Sequence, residues 1–301
     1  LYEMRRLWVA PVQLMAEGAK VALNNPFNPL SHMPAGKIMC SAADMVGHFT
    51  QRYGKPDWNI DATEINGRKV DISIETAIEQ TYCDLIHFKR AAKCNDPKLL
   101  ILAPLSGHFA TLVRDTVETM LPDHDVYVSD WRDSSTIPAI HDSFDLDDYI
   151  NYLVDFLHFL GPNTHVLAVC QPSVPALAAT AIMSGLQDNC VPASLTMIGG
   201  PIDTRKSPTQ VNKFAKEHSL DWFERHVVVD VPPTYPGAFR KVYPGFIQLT
   251  NFIAMNFDRH MASYHELFQH LVQGDDEAAD RKRAFYEEYR SVMGDRPAVS
   301  R

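Results

Sequence analysis

Between Lys98 and Ile202, apolar runs of strand length alternate with helical segments, and this alternation most restricts what the chain can become. LLILAP is followed by a helical stretch from Phe109 to Met120, then DVYVSDW and a helix from Leu146 to Leu160. HVLAVC, a helix from Ser173 to Ser184, and SLTMIGGPI complete the series. Strands joined by helical crossovers pair in parallel, so the pattern predicts an α/β fold with a mostly parallel, doubly wound sheet. Upstream, Asn66-Gly67 is a hairpin-turn dipeptide, and Val70, Ile72, Ile74 and Ile78 alternate with Asp71, Ser73, Glu75 and Glu79. The sheet is therefore expected to begin with half-buried antiparallel strands.

The ends follow other rules. Met4, Leu7, Trp8, Pro11, Val12, Leu14 and Met15 recur at helical spacing and predict an amphipathic helix with one buried face. An Asn- and Pro-rich loop from Asn24 to Pro34 precedes a second helical stretch, Ala42 to Tyr53. From Lys206 to Met293 the alternation stops, and helical patterns rich in aromatic residues take over, among them Trp222, Phe223, Phe246 and Phe252. The expected organisation is a helical leader over 1–60, an α/β core over 61–205, a helical lid or insertion over 206–293, and an unpatterned tail over 294–301.

A hydrophobic content of 46% is enough for a normal core, and a net charge of −9 argues against nucleic acid as a partner, since phosphate binding draws on Lys and Arg. No segment reaches the roughly 18 uninterrupted apolar residues of a membrane span. Five cysteines, at 40, 83, 94, 170 and 190, lack CxxC pairs and point to a reducing compartment. A cytoplasmic protein is the expectation, with no metal and no cofactor.

The sharpest local signal is AVCQPSVP at 168–175, between an apolar strand and a helix. In α/β-hydrolases the nucleophile occupies such a turn, written G-x-S-x-G, because small neighbours permit the strained backbone that exposes it. Here the frame is Ala168-Val169-Cys170-Gln171-Pro172, with a small residue before the cysteine and, after it, a proline suited to a helix start. Cys170 is the candidate nucleophile, the alternative being an inert buried thiol. The other four cysteines have no such context, and packing is their expected role.

Acyl transfer also needs N–H donors for the oxyanion. The amide of Gln171 follows the nucleophile, and LLILAPLSGHFAT at 99–111 offers Leu105 or Ser106 past an earlier strand, with Gly107 permitting a tight turn. Leu105 is the second candidate, set against an ordinary loop in which Ser106 caps a helix. Asp203 stands where some hydrolases place their acid, with a capping role as the alternative. Other features are set aside: His265 and His270 are five apart, turned roughly 140° from one another on a helix, and Asp145, Asp147 and Asp148 read as carboxylates at a helix start. Gly274-Asp275-Asp276-Glu277 reads as a solvated turn.

Taken together, LYEMRRLWVAPVQLMAE, DLIHFKR, APLSGHFATLVRDTVETMLPDHDVYVSDW, LAVCQPSVPALAA, MIGGPIDTR and VPPTYPGAFRKVYPGFIQL resemble the intracellular polyhydroxyalkanoate (polyhydroxybutyrate) depolymerases. The resemblance implies hydrolysis of stored polyester with Cys170 as nucleophile, activated by a histidine and an acid. In that family both partners follow the helical insertion, whereas this chain departs from the pattern after Met293, so no base and no acid are carried over. A chain truncated or frameshifted there is the expectation. Two other activities remain open, acyl transfer in the manner of the related polymer synthases and non-catalytic binding to the surface of storage granules. The expected partners are a polyester substrate and that granule surface.

Overall fold

The computed structural model describes residues 2–50, 54–92, 95–105, 109–141, 143–206, 208–255, 257–275, 277–280, 282–283 and 297–299. They divide into two compact units: Lys55–Gln248 with Arg296–Arg301, and Leu1–Gly54 with Leu249–Asp295.

The first unit holds a seven-stranded sheet. Strands β1 (Ala62–Ile65) and β2 (Arg68–Ile78) form an antiparallel hairpin closed by Asn66 and Gly67 at φ 50° and 73°, the left-handed pair that a tight two-residue turn requires. β2 pairs antiparallel with β3 (Cys83–Arg90), and β3 with β5 (Asp125–Trp131). From β5 onward the pairing is parallel, through β4 (Lys98–Leu102) and β6 (His165–Val169) to β7 (Ser194–Ile198). The spatial order is β1-β2-β3-β5-β4-β6-β7, so the antiparallel start and parallel continuation both occur as expected.

Helices connect the parallel strands as the alternation predicts. A 3₁₀ turn, Ala110–Val113, leads into α3 (Arg114–Met120), while α4 is Leu146–Leu160 and α5 is Ser173–Gly185. Along β4 the side chains divide with period two. Leu100 and Leu102 join a core with Tyr127, Trp131, Leu153, Phe156, Ala176 and Met183, under α4 and α5. Leu99 and Ile101 face the other way, into a core with Trp58, Phe88, Val113, Val117 and Val126, under α3. Both faces of β4 are covered, which explains why Leu99 to Leu102 are apolar without alternation.

The second unit contains α1 (Tyr2–Leu23), α2 (Pro34–Thr50) and α9 (Phe257–Gln273), with α8 (Gly245–Met255) straddling the boundary between the units. α1 forms as predicted, but its buried face is a different one. Val12, Leu14 and Met15 are exposed, Met15 at 74%, and the inward stripe is Val9, Gln13, Ala16, Lys20 and Leu23. This i, i+4, i+7 series meets α2, which runs eight residues further toward the N-terminus than expected. The side chains of Met4, Leu7 and Trp8 lie outside the described residues. Asp44 on α2 is buried and ion-paired with both Lys20 and Arg283.

The stretch 206–293 is not the single helical insertion expected. Besides α6 (Gln210–Glu217) and α7 (Leu220–His226) it contains strands β8 (Val229–Asp230) and β9 (Lys241–Pro244), and it is shared between the two units. The tail is also patterned: β10 (Pro297–Val299) pairs antiparallel with β9. The aromatic residues Phe246 and Phe252 belong to α8, and their side chains are outside the described set.

Candidate active site

β4 and β6 are neighbouring parallel strands whose following helices lie on opposite faces of the sheet. Their carboxyl ends therefore border a crevice, the point at which open α/β sheets take their ligands. Cys170 follows β6 on one side of this crevice and Leu105 follows β4 on the other.

Cys170 is exposed and adopts φ 66°, a left-handed conformation that costs a non-glycine residue about 1–3 kcal/mol. Its neighbours hold it there. Its N–H donates to the Ile198 carbonyl at 2.7 Å and its carbonyl accepts from the Ser173 amide at 3.1 Å. Pro172 is helical and buried at the start of α5, and its carbonyl accepts from Ala176 at 2.9 Å, so its missing N–H costs the helix nothing. Ala168 and Ser173 have no exposed surface, and the Ser173 hydroxyl donates to Ala168 at 3.5 Å. Among the described residues the Cys170 thiol makes no hydrogen bond.

The turn lacks the two flanking glycines, and the room they would supply comes from the next strand. A Cβ on Gly200 would stand 2.2 Å from both Cβ and Oγ of Ser173 and 3.4 Å from the Cys170 carbonyl. Gly199 beside it is at φ 64°. Glycine at 200 lets the end of β7 close on the base of α5, a role that sequence reasoning missed although the GGPI segment was in view.

The two oxyanion candidates meet directly. The Leu105 N–H donates to Gln171 Oε1 at 3.1 Å, linking the loop after β4 to the residue after the nucleophile. Ser106 and Gly107 lie outside the described residues. Asp203 binds Arg205, accepting its Nε at 2.8 Å, its Nη2 at 3.1 Å and its backbone N–H at 3.0 Å. These bonds hold the carboxyl below its ordinary range, the Arg205 side chain contributing most.

The remaining cysteines sit in different settings. Cys83 is fully buried on β3, and its thiol is pushed well up by burial, then by the nearby Asp130 and Asp84. The Cys40 thiol donates to Asn24 Oδ1 at 3.2 Å, and Cys190 packs half-buried against the core under α4 and α5. Cys94 lies outside the described residues. His265 contacts Gln269 at 2.9 Å and His270 contacts Asp275 at 3.2 Å, so each has its own partner. Asp145 forms the expected cap on α4, accepting from the amides of Asp147 and Asp148, while Asp148 accepts from the Asp145 amide.

Solved structures similar to the chain include naproxen esterase from Bacillus subtilis (16% identity, 42% of this chain and 42% of that one, TM-score 0.30). An α/β hydrolase from the Lake Arreo metagenome is 15% identical over 69% of this chain and 66% of its own, with a TM-score of 0.36. Brefeldin A esterase, a bacterial homologue of human hormone sensitive lipase, is 15% identical over 62% of this chain and 55% of its own, with a TM-score of 0.29. The chain thus spans less than two thirds of the length of each of these structures. No curated protein matches. One family model does, described as PHB de-polymerase C-terminus, and it begins at Gly199, one residue past β7. Residues 199–298 are thus similar to the C-terminus of PHB de-polymerases, and in this chain they follow a mostly parallel seven-stranded sheet.

Proposed function

We propose that the chain hydrolyses ester bonds of intracellular polyhydroxyalkanoate through Cys170. The observation that carries this reading is the exposed cysteine at φ 66° between β6 and α5, at the mouth of the crevice; the similarity of residues 199–298 to the C-terminus of PHB de-polymerases supports the substrate class. Sγ attacks the ester carbonyl carbon, its proton moving to the departing alkoxide oxygen, and the resulting oxyanion accepts hydrogen bonds from the amides of Gln171 and Leu105. The C–O bond breaks, the hydroxyl end of the polymer leaves with a proton, and a thioester remains on Cys170. Water then attacks the thioester, releasing a shorter hydroxyacyl product and restoring the thiol.

The test is acylation with an isotopically labelled hydroxybutyrate ester, followed by peptide mass analysis. The label is expected at Cys170, with hydrolysis lost in Cys170→Ala; hydrolysis that survives this substitution overturns the reading. Incubation with hydroxybutyryl-coenzyme A separates hydrolysis from polymer synthesis, because a synthase releases coenzyme A as polymer grows. A second reading, binding to the surface of cytoplasmic storage granules, is favoured by the exposed Val12, Leu14, Met15 and Val21 on α1. Cosedimentation with granules, compared between the chain and Leu14→Glu/Met15→Glu, tests it.

A further inference from the structure

We infer that the Gln171 carboxamide is a placeholder for the substrate, occupying the Leu105 N–H until an ester carbonyl displaces it. The inference rests on the oxyanion reading above but adds a function for the side chain of Gln171, which that reading leaves unused. Two observations and one physical argument carry it.

The first is chemical identity. The group bonded to the Leu105 N–H at 3.1 Å is a carbonyl oxygen, the same type of acceptor as the ester oxygen that would carry charge in the reaction. The second is position. Gln171 is the residue next to the nucleophile, so its Oε1 reaches this N–H across the crevice between the ends of β6 and β4. The third is economy of polar groups: a partly buried amide left without an acceptor costs free energy, so a loop that must present a donor to substrate needs a temporary partner. A neutral carboxamide bond is weak enough to exchange and strong enough to hold the loop after β4 in place.

The placeholder competes with substrate, so removing it tightens carbonyl binding. A ketone analogue of a hydroxybutyrate ester, measured by calorimetry on the Cys170→Ala chain, is expected to bind about 3- to 10-fold more tightly when Gln171→Ala is added, the range of one neutral hydrogen bond. Gln171→Glu is expected to move affinity the other way. Its carboxylate holds the N–H more strongly and repels a developing oxyanion, and acidification below about pH 4 relieves the effect as the carboxylate is neutralised. Opposite shifts from the two substitutions are what mere support of the loop does not produce.

Unchanged or weaker binding in Gln171→Ala overturns the inference, as does a Gln171→Glu chain that binds like the parent at neutral pH. Hydrolysis by the parent chain is read separately, with the labelled ester. Absent hydrolysis with the expected shifts in ketone affinity rejects the proposed activity and leaves the placeholder standing; hydrolysis without those shifts does the reverse.

Discussion

At positions 170 and 200 a turn could be read from sequence while the residue that supports it could not. The strand-to-helix turn at Cys170 was legible because an apolar strand, a small residue and a proline-led helix flank it in a continuous segment. Gly200 was not, because its constraint comes from Ser173 in another element, 2.2 Å from where a Cβ would be. Gly200→Ala should therefore destabilise the chain by about 1–3 kcal/mol, as overpacking of a tight contact does, measured by urea unfolding. A double variant with Ser173→Gly should recover much of that loss by vacating the clashing atoms. The cysteines give a second residue-level expectation. Iodoacetamide should alkylate the exposed Cys170 in the folded chain, while Cys83, buried with its thiol pushed up, should react only after unfolding. Equal rates at the two positions in native buffer would contradict the described burial.

Elements were most legible where local chemistry and packing agree. The α4 helix has the predicted bounds because Asp145 and Asp148 cap it reciprocally and Leu153, Phe156, Leu157 and Leu160 give it a buried stripe. Asp145→Ala should cost about 1 kcal/mol, readable as a lowered unfolding midpoint. On α1, Val12, Leu14 and Met15 were not inward, because the partner helix selected the stripe Val9, Gln13, Ala16, Lys20 and Leu23, in which Gln13 and Lys20 interrupt the apolar pattern that hydrophobicity marks. Strands β8 and β9 escaped notice for a related reason: two- and four-residue strands are too short for a period to show. On β5, sequence showed the strand but not a polar group at its start. Burial alone would raise the Asp125 carboxyl, but the hydrogen bond and charge of His87, together with the Tyr127 hydroxyl and Arg90, outweigh it and lower it. The Tyr127 hydroxyl, pushed up to about 12 mainly by burial, stays protonated as a donor. A depressed carboxylate stabilises the fold above its unfolded value, about pH 4, and that stability is lost as pH falls through the folded value. Tyr127→Phe should thus cost about 0.5–1 kcal/mol at pH 6, with the difference from the parent chain closing in strong acid.

At the scale of the molecule the two ends of the seven-stranded sheet are built differently, and the difference bears on how the chain behaves in solution. β1 ends the sheet with Thr63 and Glu64, next to Arg68 and Lys69 on its partner, and charge of this kind discourages further strand addition. β7 ends it with Leu195, Thr196, Met197 and Ile198, with no charge and with Met197 and Ile198 exposed at 41% and 49%. Among the described residues nothing pairs with its outer side. Ile202, Leu186 and Ile182 add exposed apolar surface on the segments that flank it. A net charge of −9 opposes association over long distances, but this opposition is screened by salt, whereas pairing of an apolar edge is not. Association should therefore increase with ionic strength, the reverse of what a charge-driven contact would show. Thr196→Lys places a positive charge on the open strand without touching the Ile198 carbonyl that holds Cys170, so the nucleophile turn should keep its geometry. Light scattering at 0.05 and 0.5 M salt should show salt-induced association in the parent chain and its suppression in Thr196→Lys, with iodoacetamide reactivity at Cys170 as the check on the turn. Association that is equal in both chains would locate the contact elsewhere.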